Sequence, residues 1–309
     1  MGEFSMINSN LIYKLLRASK DNGFFKGITR GEQNIKNLSS IKFNCLCLKL
    51  ISINQKINML RKKIINWFIP PRCLQCGDTI LEAHQLCADC WKKIDFITKP
   101  FCFICGYPLT LENQFDICES CSHKKPIYEC ARSIFIYKTE GKKLILRFKH
   151  ADTTELAPLF AQMLFHQAQD YFKDIDYMIP VPLHWTRLFK RRYNQAALLC
   201  LCLKKVEPNL PYYAPYFLRR VKRTESQGRK TAEKRKLNLE SAFIVPIRYQ
   251  KNLQGKTILL IDDVMTSGAT AEECSRVLYT AGCASVKVLT IAKVLLNSDP
   301  NIAFDKDDE

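Results

Sequence analysis

The sequence predicts an α/β protein whose mostly parallel, twisted sheet is flanked by helices and preceded by a module organised on paired cysteines. Three observations carry this reading. Strand-like and helix-like patterns alternate from about Ala131 to Ile291, the arrangement of a parallel sheet joined by crossover helices. An unbroken apolar run, Ile258 to Ile261, leads into two carboxylates and then a Thr/Ser/Gly loop, as expected of a buried strand that presents ligand groups at its carboxyl end. Four Cys-x-x-Cys pairs follow one another between residues 73 and 121.

Taken in chain order, residues 1–58 differ from the rest. They are rich in Asn, Ser, Lys and Ile, contain no Pro and hold no sustained period, so they cannot bury a core of their own. Met59 opens a basic amphipathic stretch that would serve as a start. Residues 1–58 are therefore expected to be a poorly ordered upstream extension, with a functional basic arm as the other reading. No apolar run is long enough for a membrane span and no secretory leader precedes the module, so a cytoplasmic location is expected.

Residues 59–126 are expected to form the cysteine module. In a cytoplasmic chain, thiols at this spacing bind metal more often than they form disulfides. The pairs are Cys73/Cys76, Cys87/Cys90, Cys102/Cys105 and Cys118/Cys121, with Gly directly after Cys76 and after Cys105. A knuckle turn needs positive φ at that point. Two such knuckles supply the four soft ligands of tetrahedral zinc. Eight thiols predict about two structural Zn²⁺ ions. Sequential pairing gives two ribbons, and an interleaved arrangement fits the same spacing. His84 and His123 lie nearby, but the thiols suffice without them. Cys45, Cys47, Cys130, Cys200, Cys202, Cys274 and Cys283 lack ligand spacing and read as small core residues.

Residues 127–296 carry the α/β pattern. Ala131 to Tyr137 and Asp176 to Val181 read as strands. Lys142 to Lys149, the stretch around Leu156 to Phe172, and Asn194 to Lys205 read as helices. Phe217 to Val221 and Ala242 to Val245 are short strands on either side of a basic stretch. Ile258 to Ile261 is followed by a helix from Ala271 to Ala281, stopped by Gly282 at its C′ position, and Val286 to Ile291 is the last strand. Residues 297–309 are an acidic tail.

The chemistry concentrates at strand ends. Asp262 and Asp263 offer acceptors for sugar hydroxyls, and Thr266 to Thr270 offers hydroxyls and backbone N–H groups at a helix N-terminus, where phosphates bind. Val181-Pro182-Leu183-His184 leaves a second strand end, either as a second anion loop or as an ordinary proline-containing exit. Arg187, Lys190, Arg191 and Arg192 follow, suited to pyrophosphate or to a nucleic-acid backbone. Arg219 to Lys236 holds nine Lys/Arg against two acids, which suits a hood closing over a substrate or a solvated loop. The net charge of +17 calls for anionic partners.

Residues 258–270 resemble the phosphoribosyl pyrophosphate (PRPP) fingerprint of type I phosphoribosyltransferases. Residues 59–295 as a whole resemble the ComF/GntX-type competence proteins, which join a double zinc ribbon to a type I phosphoribosyltransferase domain. The matching elements are Phe68-Ile-Pro-Pro-Arg-Cys73-Leu-Gln-Cys76-Gly77, Phe148-Lys149-His150, Val181 to His184, Arg191 to Gln195, Thr224, Gln227, Arg235, Asn238 and Ala242-Phe243. Arg192 stands where the family has Gly, so the turn must avoid positive φ or carry strain.

The resemblance implies that Asp262 and Asp263 serve catalysis and hold the ribose. It implies that Val264 and Met265 belong to the PRPP-binding residues, that Thr266, Ser267, Gly268, Ala269 and Thr270 hold the 5′-phosphate, and that Leu183 and His184 meet the pyrophosphate, with Mg²⁺ accompanying PRPP. It further implies pentosyl transfer and handling of single-stranded DNA beside other competence proteins during natural transformation. A small-acceptor phosphoribosyltransferase of nucleotide metabolism and a non-catalytic, single-strand-binding zinc-ribbon module are the alternatives.

Overall fold

The computed structural model describes residues 65–110, 116–150, 153–222 and 241–295. The chain divides into two units, Met1–Ile69 and Pro70–Glu309. Of the first, only a single helical turn is described, closed by the Ile69 N–H on the Ile65 carbonyl at 2.8 Å. The expectations for residues 1–58 and 297–309, and for most of the basic stretch after Arg219, lie outside the described residues.

The second unit opens with two short helices, α1 (Ala88–Lys92) and α2 (Glu119–His123), one in each cysteine-rich segment. The α/β part follows as β1 (Cys130–Ile136), α3 (Thr139–Phe148), α4 (Leu156–Gln167), β2 (Tyr177–Pro180), α5 (Trp185–Arg191), α6 (Gln195–Val206), β3 (Tyr212–Tyr213), β4 (Arg219–Arg220), β5 (Phe243–Ile244), α7 (Ile247–Leu253), β6 (Thr257–Met265), α8 (Ala269–Thr280) and β7 (Ser285–Lys293). The main sheet has the order β1-β7-β6-β2-β3, and every pairing in it is parallel. β4 and β5 form a separate antiparallel ribbon. This is the fold class that the sequence predicts.

Burial explains why the apolar run became the centre of the sheet. Successive side chains of a strand point to opposite faces. Leu259 and Ile261 join Phe148, Phe160 and Leu199 of α3, α4 and α6 in one core. Ile258 and Leu260 join Leu253, Cys274 and Leu278 of α7 and α8 in a second core on the other face. A strand covered on both sides has no polar face to alternate, hence the unbroken run.

Three elements, α5, α7 and β3, are too short or too polar to have been anticipated from periodicity. β6 also runs further than its apolar run. It continues through the acid pair because β7 stays beside it, pairing Asp262 with Thr290 and Met265 with Lys293. α8 begins at Ala269, two residues before the expected start. Its C-terminal end is the expected one, with Gly282 at φ +94° and its N–H on the Tyr279 carbonyl at 2.9 Å.

The first cysteine segment is built into this core. Cys73, Leu74, Leu86, Cys90 and Ile94 share the cluster that holds Ile134 and Phe160. The link between the segments covers the free edge of β1, with the Ile97 N–H on the Ile134 carbonyl and the Ile136 N–H on the Asp95 carbonyl, both at 2.8 Å. The second cysteine segment keeps a small core of its own and docks through Arg132. That side chain donates to the Phe103 carbonyl at 3.0 Å, and its guanidinium lies 4.4 Å from the Phe101 ring centroid.

Phe160 is fully buried, with ring centroids 5.2 Å from Phe148 and 6.3 Å from Phe135. Phe160→Ala should cost about 3–5 kcal/mol by loss of transfer energy and a residual cavity. A urea unfolding curve with an unchanged midpoint would show that this core does not hold the sheet to its helices.

Candidate functional site

The eight predicted thiols gather into two groups, Cys73, Cys76, Cys87, Cys90 and Cys102, Cys105, Cys118, Cys121, with the sulfurs of each group within 4.8 Å of one another. The pairing is therefore sequential, and the interleaved alternative is excluded. Gly106, at φ +69°, fits its knuckle for a second reason, since a Cβ there would meet the Ala131 carbonyl oxygen at 2.9 Å. Neither His84 nor His123 enters a group, and His123 instead lies 3.9 Å from Glu119.

The donor chemistry fits a divalent metal. The Cys73 sulfur accepts N–H groups from Gln75 at 3.4 Å and Cys87 at 3.2 Å. Burial alone would raise its pKa, yet these and the Cys76 N–H hold it at about 6. Hydrogen bonding from the Cys105 thiol, against burial, brings Cys102 down to about 4. Their neighbours go the other way, chiefly by burial, Cys90 to about 11 and Cys121 to about 12. Four crowded sulfurs cannot all ionise unless a cation compensates them, and Zn²⁺ is the cation that tetrahedral thiolates select.

The remaining predicted residues meet at the carboxyl edge of the sheet. Asp263 and Val264 donate their N–H groups to the Asp262 and Asp263 carboxylates at 2.9 and 2.8 Å. Burial pushes the Asp262 carboxyl well above the usual range, and the charge of Asp263 adds to this, while Lys149 pulls it back. After Met265 the chain turns through Thr266 and Ser267 to Gly268, at φ +79°, which caps α8. Beside β6, the end of β2 runs into Val181 to His184. His184 is buried, and its Nδ1 caps α5 through the Thr186 N–H at 3.4 Å. The Nδ1 edge of the imidazole is therefore engaged within the loop itself.

Arg192 takes the strained option, at φ +63°. The next two residues hold it there through three hydrogen bonds. The Tyr193 hydroxyl donates to the Phe148 carbonyl and, at 3.0 Å, to that of His150. Asn194 donates to the Val181 carbonyl at 3.0 Å and caps α6.

The site also includes groups that the motifs did not reveal. Lys149 and Lys293 are both buried. Lys149 was matched only as part of a family element, and Lys293 lies in a strand pattern that gives no hint of its destination. Among the aromatics of the cysteine segments, Trp91 packs against Phe96 at 4.8 Å and Phe101 lies under Arg132, while Phe103 stays largely exposed.

A strand-end acid pair before a helix-capping loop, on a parallel sheet carrying two Cys₄ knuckles, defines a zinc-ribbon protein with a phosphoribosyltransferase domain. Family models agree: a double zinc ribbon domain matches residues 64–124 and a phosphoribosyl transferase domain matches residues 202–303. The chain is 30% identical over 230 residues to Competence protein F of Haemophilus influenzae, covering 72% of this chain and 96% of that protein. It is 26% identical to the DNA utilization protein YhgH of Escherichia coli K12, over 74% of this chain and 99% of that one. It is 28% identical to Competence protein ComFC of Bacillus subtilis, over 68% and 85%. The chain belongs to the competence protein F family. Among the described residues no helix is long and apolar enough to cross a membrane.

Purified protein should carry about two zinc ions per chain, four thiolates to each. Cys73→Ser should release about one of them and, because the first segment shares the main core, should also lower the thermal midpoint of the whole unit. Metal analysis returning one ion or fewer in reduced wild-type protein would remove the second site.

Proposed function

We propose that this chain binds PRPP at the carboxyl edge of its sheet and acts as a phosphoribosyltransferase-type protein on or beside single-stranded DNA in the cytoplasm. The observation that carries the reading is the Asp262–Asp263 pair held near the carboxyl end of a buried strand, ahead of the turn that leads to the Gly268 cap of α8. In this reading the two carboxylates accept the ribose 2- and 3-hydroxyls, and the N–H groups of Thr266 to Thr270 surround the 5′-phosphate. The backbone of Leu183 and His184 meets the pyrophosphate. Mg²⁺ bound with PRPP would offset the charge of that pyrophosphate. Chemistry would be displacement at the anomeric carbon, where the bond to the pyrophosphate oxygen breaks as the bond to the acceptor forms. The chain contributes positioning and charge compensation, without a protein nucleophile.

Support for a nucleic-acid partner comes from α5, directly after the Leu183–His184 loop. Trp185 is 71% and Phe189 87% exposed, one helical turn apart, on a helix that also carries Arg187, Lys190 and Arg191. Aromatic faces between cations suit stacked, unpaired bases and their backbone. The names of the H. influenzae and E. coli relatives, which refer to competence and to DNA utilization, point the same way. The test of function is PRPP consumption with product mass, screened over nucleobases, ammonia and single-stranded DNA. Turnover with a free base alone would favour a small acceptor, and no turnover with intact single-strand binding would favour a binding module.

Asp262→Asn or Asp263→Asn should weaken PRPP binding about tenfold or more, as loss of a charge-assisted hydrogen bond predicts. The raised Asp262 pKa adds a pH signature. Ribose hydroxyls donate more strongly to the ionised carboxylate than to the neutral carboxyl, so bound PRPP lowers that pKa and releases protons. Affinity should then rise with pH from the ordinary carboxylate range up through the raised value, and Asp262→Asn should lose that component. Calorimetry in buffers of different ionisation enthalpy reads both, and unchanged affinity in the two variants would remove the assignment.

Single-strand affinity should fall with salt at a log–log slope of about −0.7 per phosphate contacted. Replacing Trp185 and Phe189 together by Ala should weaken binding by about 1–3 kcal/mol per base stacked, with the slope retained. Wild-type binding that ignores both salt and this double variant would leave α5 without a nucleic-acid role.

A further inference from the structure

Between the second ribbon and the turn after β6 lies a cavity of about 430 Å³. Tyr107 and Lys124 of the ribbon form one wall, and Thr266, Ser267 and Gly268 the other. Lys293, the last residue of β7, and Tyr128, which precedes β1, also line it. Two of these groups lack the partners that their burial requires. Lys293 is only 6% exposed. Its ammonium lies 3.5 Å from the Met265 sulfur and forms no ion pair among the described residues. The Ser267 hydroxyl is sealed from solvent with no hydrogen-bond partner. A buried cation and a buried hydroxyl are both costly unless a ligand satisfies them. Both residues line the same cavity as Gly268 and Ala269, at the N-terminus of α8, a helix of 12 residues, whose dipole favours an anion. Glu272 adds one carboxylate to the lining, and Lys124 and Lys293 oppose it.

We propose that the second ribbon completes the phosphate pocket, with Lys293 as the cation that holds the phosphate and the ribbon as the wall that keeps water from it. This rests on the reading that the loop after β6 takes a phosphate. It gives the two cysteine clusters different tasks. The first is packed into the main core. The second faces the ligand, and Lys293 lies within electrostatic reach of Cys105. A Cys₄ site carrying a divalent metal keeps a net negative charge, so the Lys293 ammonium stands between two anions. Folding of the second ribbon around its metal thereby sets how tightly a phosphate is held, because a desolvated charge contact is stronger than one open to water.

The experiment is calorimetric binding of PRPP and of ribose 5-phosphate to full-length protein, with zinc content measured on the same samples. Lys293→Gln should weaken both ligands about tenfold or more with zinc content unchanged. Cys118→Ser should release about one zinc ion and weaken both ligands similarly. Lys124→Gln, an exposed change that the fold tolerates, should weaken them by a smaller factor, and Lys92→Gln, a charge-matched change on the first segment, should not. Wild-type affinity in Lys293→Gln and Cys118→Ser, alongside weakened binding in Asp263→Asn, overturns this proposal and leaves the ribose assignment standing. Lys293→Gln that loses zinc but binds normally also overturns it, assigning the lysine to the metal cluster. Wild-type protein that binds neither ligand overturns the phosphate reading itself. Should Lys293→Gln fail to fold, unchanged affinity in Lys124→Gln and Cys118→Ser decides against the ribbon wall.

Discussion

The ladder between β6 and β7 is the constraint on which the rest of the structure depends. It runs from Thr257 opposite Ser285 to Met265 opposite Lys293, and the Val294 N–H on the Met265 carbonyl at 2.9 Å extends it. Because side chains alternate along a strand, fixing this register fixes which of Asp262 and Asp263 faces which core. The same pairing sets where the turn to Gly268 begins and where the Lys293 ammonium emerges. A slip of one residue would reverse every side chain, putting Leu259 and Ile261 on the wrong face. The apolar contacts of two helical layers therefore hold the ligand groups in position, although none of those contacts touches a ligand.

Most of this was legible because burial leaves a signature in sequence. Ile258 to Ile261 reads as a strand because both of its faces are covered, and the cysteine spacing reads as knuckles because the ligand geometry of a metal is rigid. Four things were not legible. The continuation of β6 past Ile261 depends on β7 lying alongside, a tertiary fact that carboxylates in a strand argue against locally. The short helices α5 and α7 hold too few residues to show a period. Lys293 looks like any lysine at the end of a strand, and only the packing of the second ribbon across that end turns it into a buried cation. The choice between sequential and interleaved cysteine pairing likewise belonged to the chain's path, since the spacing allowed both.

The cysteine segments differ in how they use the same ligand set. In the first, Cys73 and Cys90 are core residues as well as thiols, packed in one cluster with Ile134 and Phe160. In the second, the sulfurs enclose their own small core with Ile104, and attachment to the sheet rests on Arg132 and on the Ala131 N–H, which reaches the Ile104 carbonyl at 2.7 Å. A segment joined by a few polar contacts can adjust its distance to the sheet without disturbing the main core. One sharing its apolar residues with that core cannot. The segment with the fewer apolar ties is the one that lies beside the turn after β6.

The strained turn at Arg192 belongs to the same arrangement. A non-glycine residue at positive φ costs about 1–2 kcal/mol, and such conformations persist only where neighbours over-determine them. Here the next two residues do so. Tyr193 binds the carbonyls that end α3, the segment containing Lys149, and Asn194 binds the carbonyl of Val181 where β2 leaves the sheet. One tight turn thus ties the buried lysine that faces Asp262 to the loop carrying Leu183 and His184. If Arg192 relaxed to an extended conformation, the chain would reverse less sharply and Tyr193 and Asn194 could not both reach their partners. Lys149 and the second strand end would then lose their common anchor, so the strain is offset by the geometry it secures.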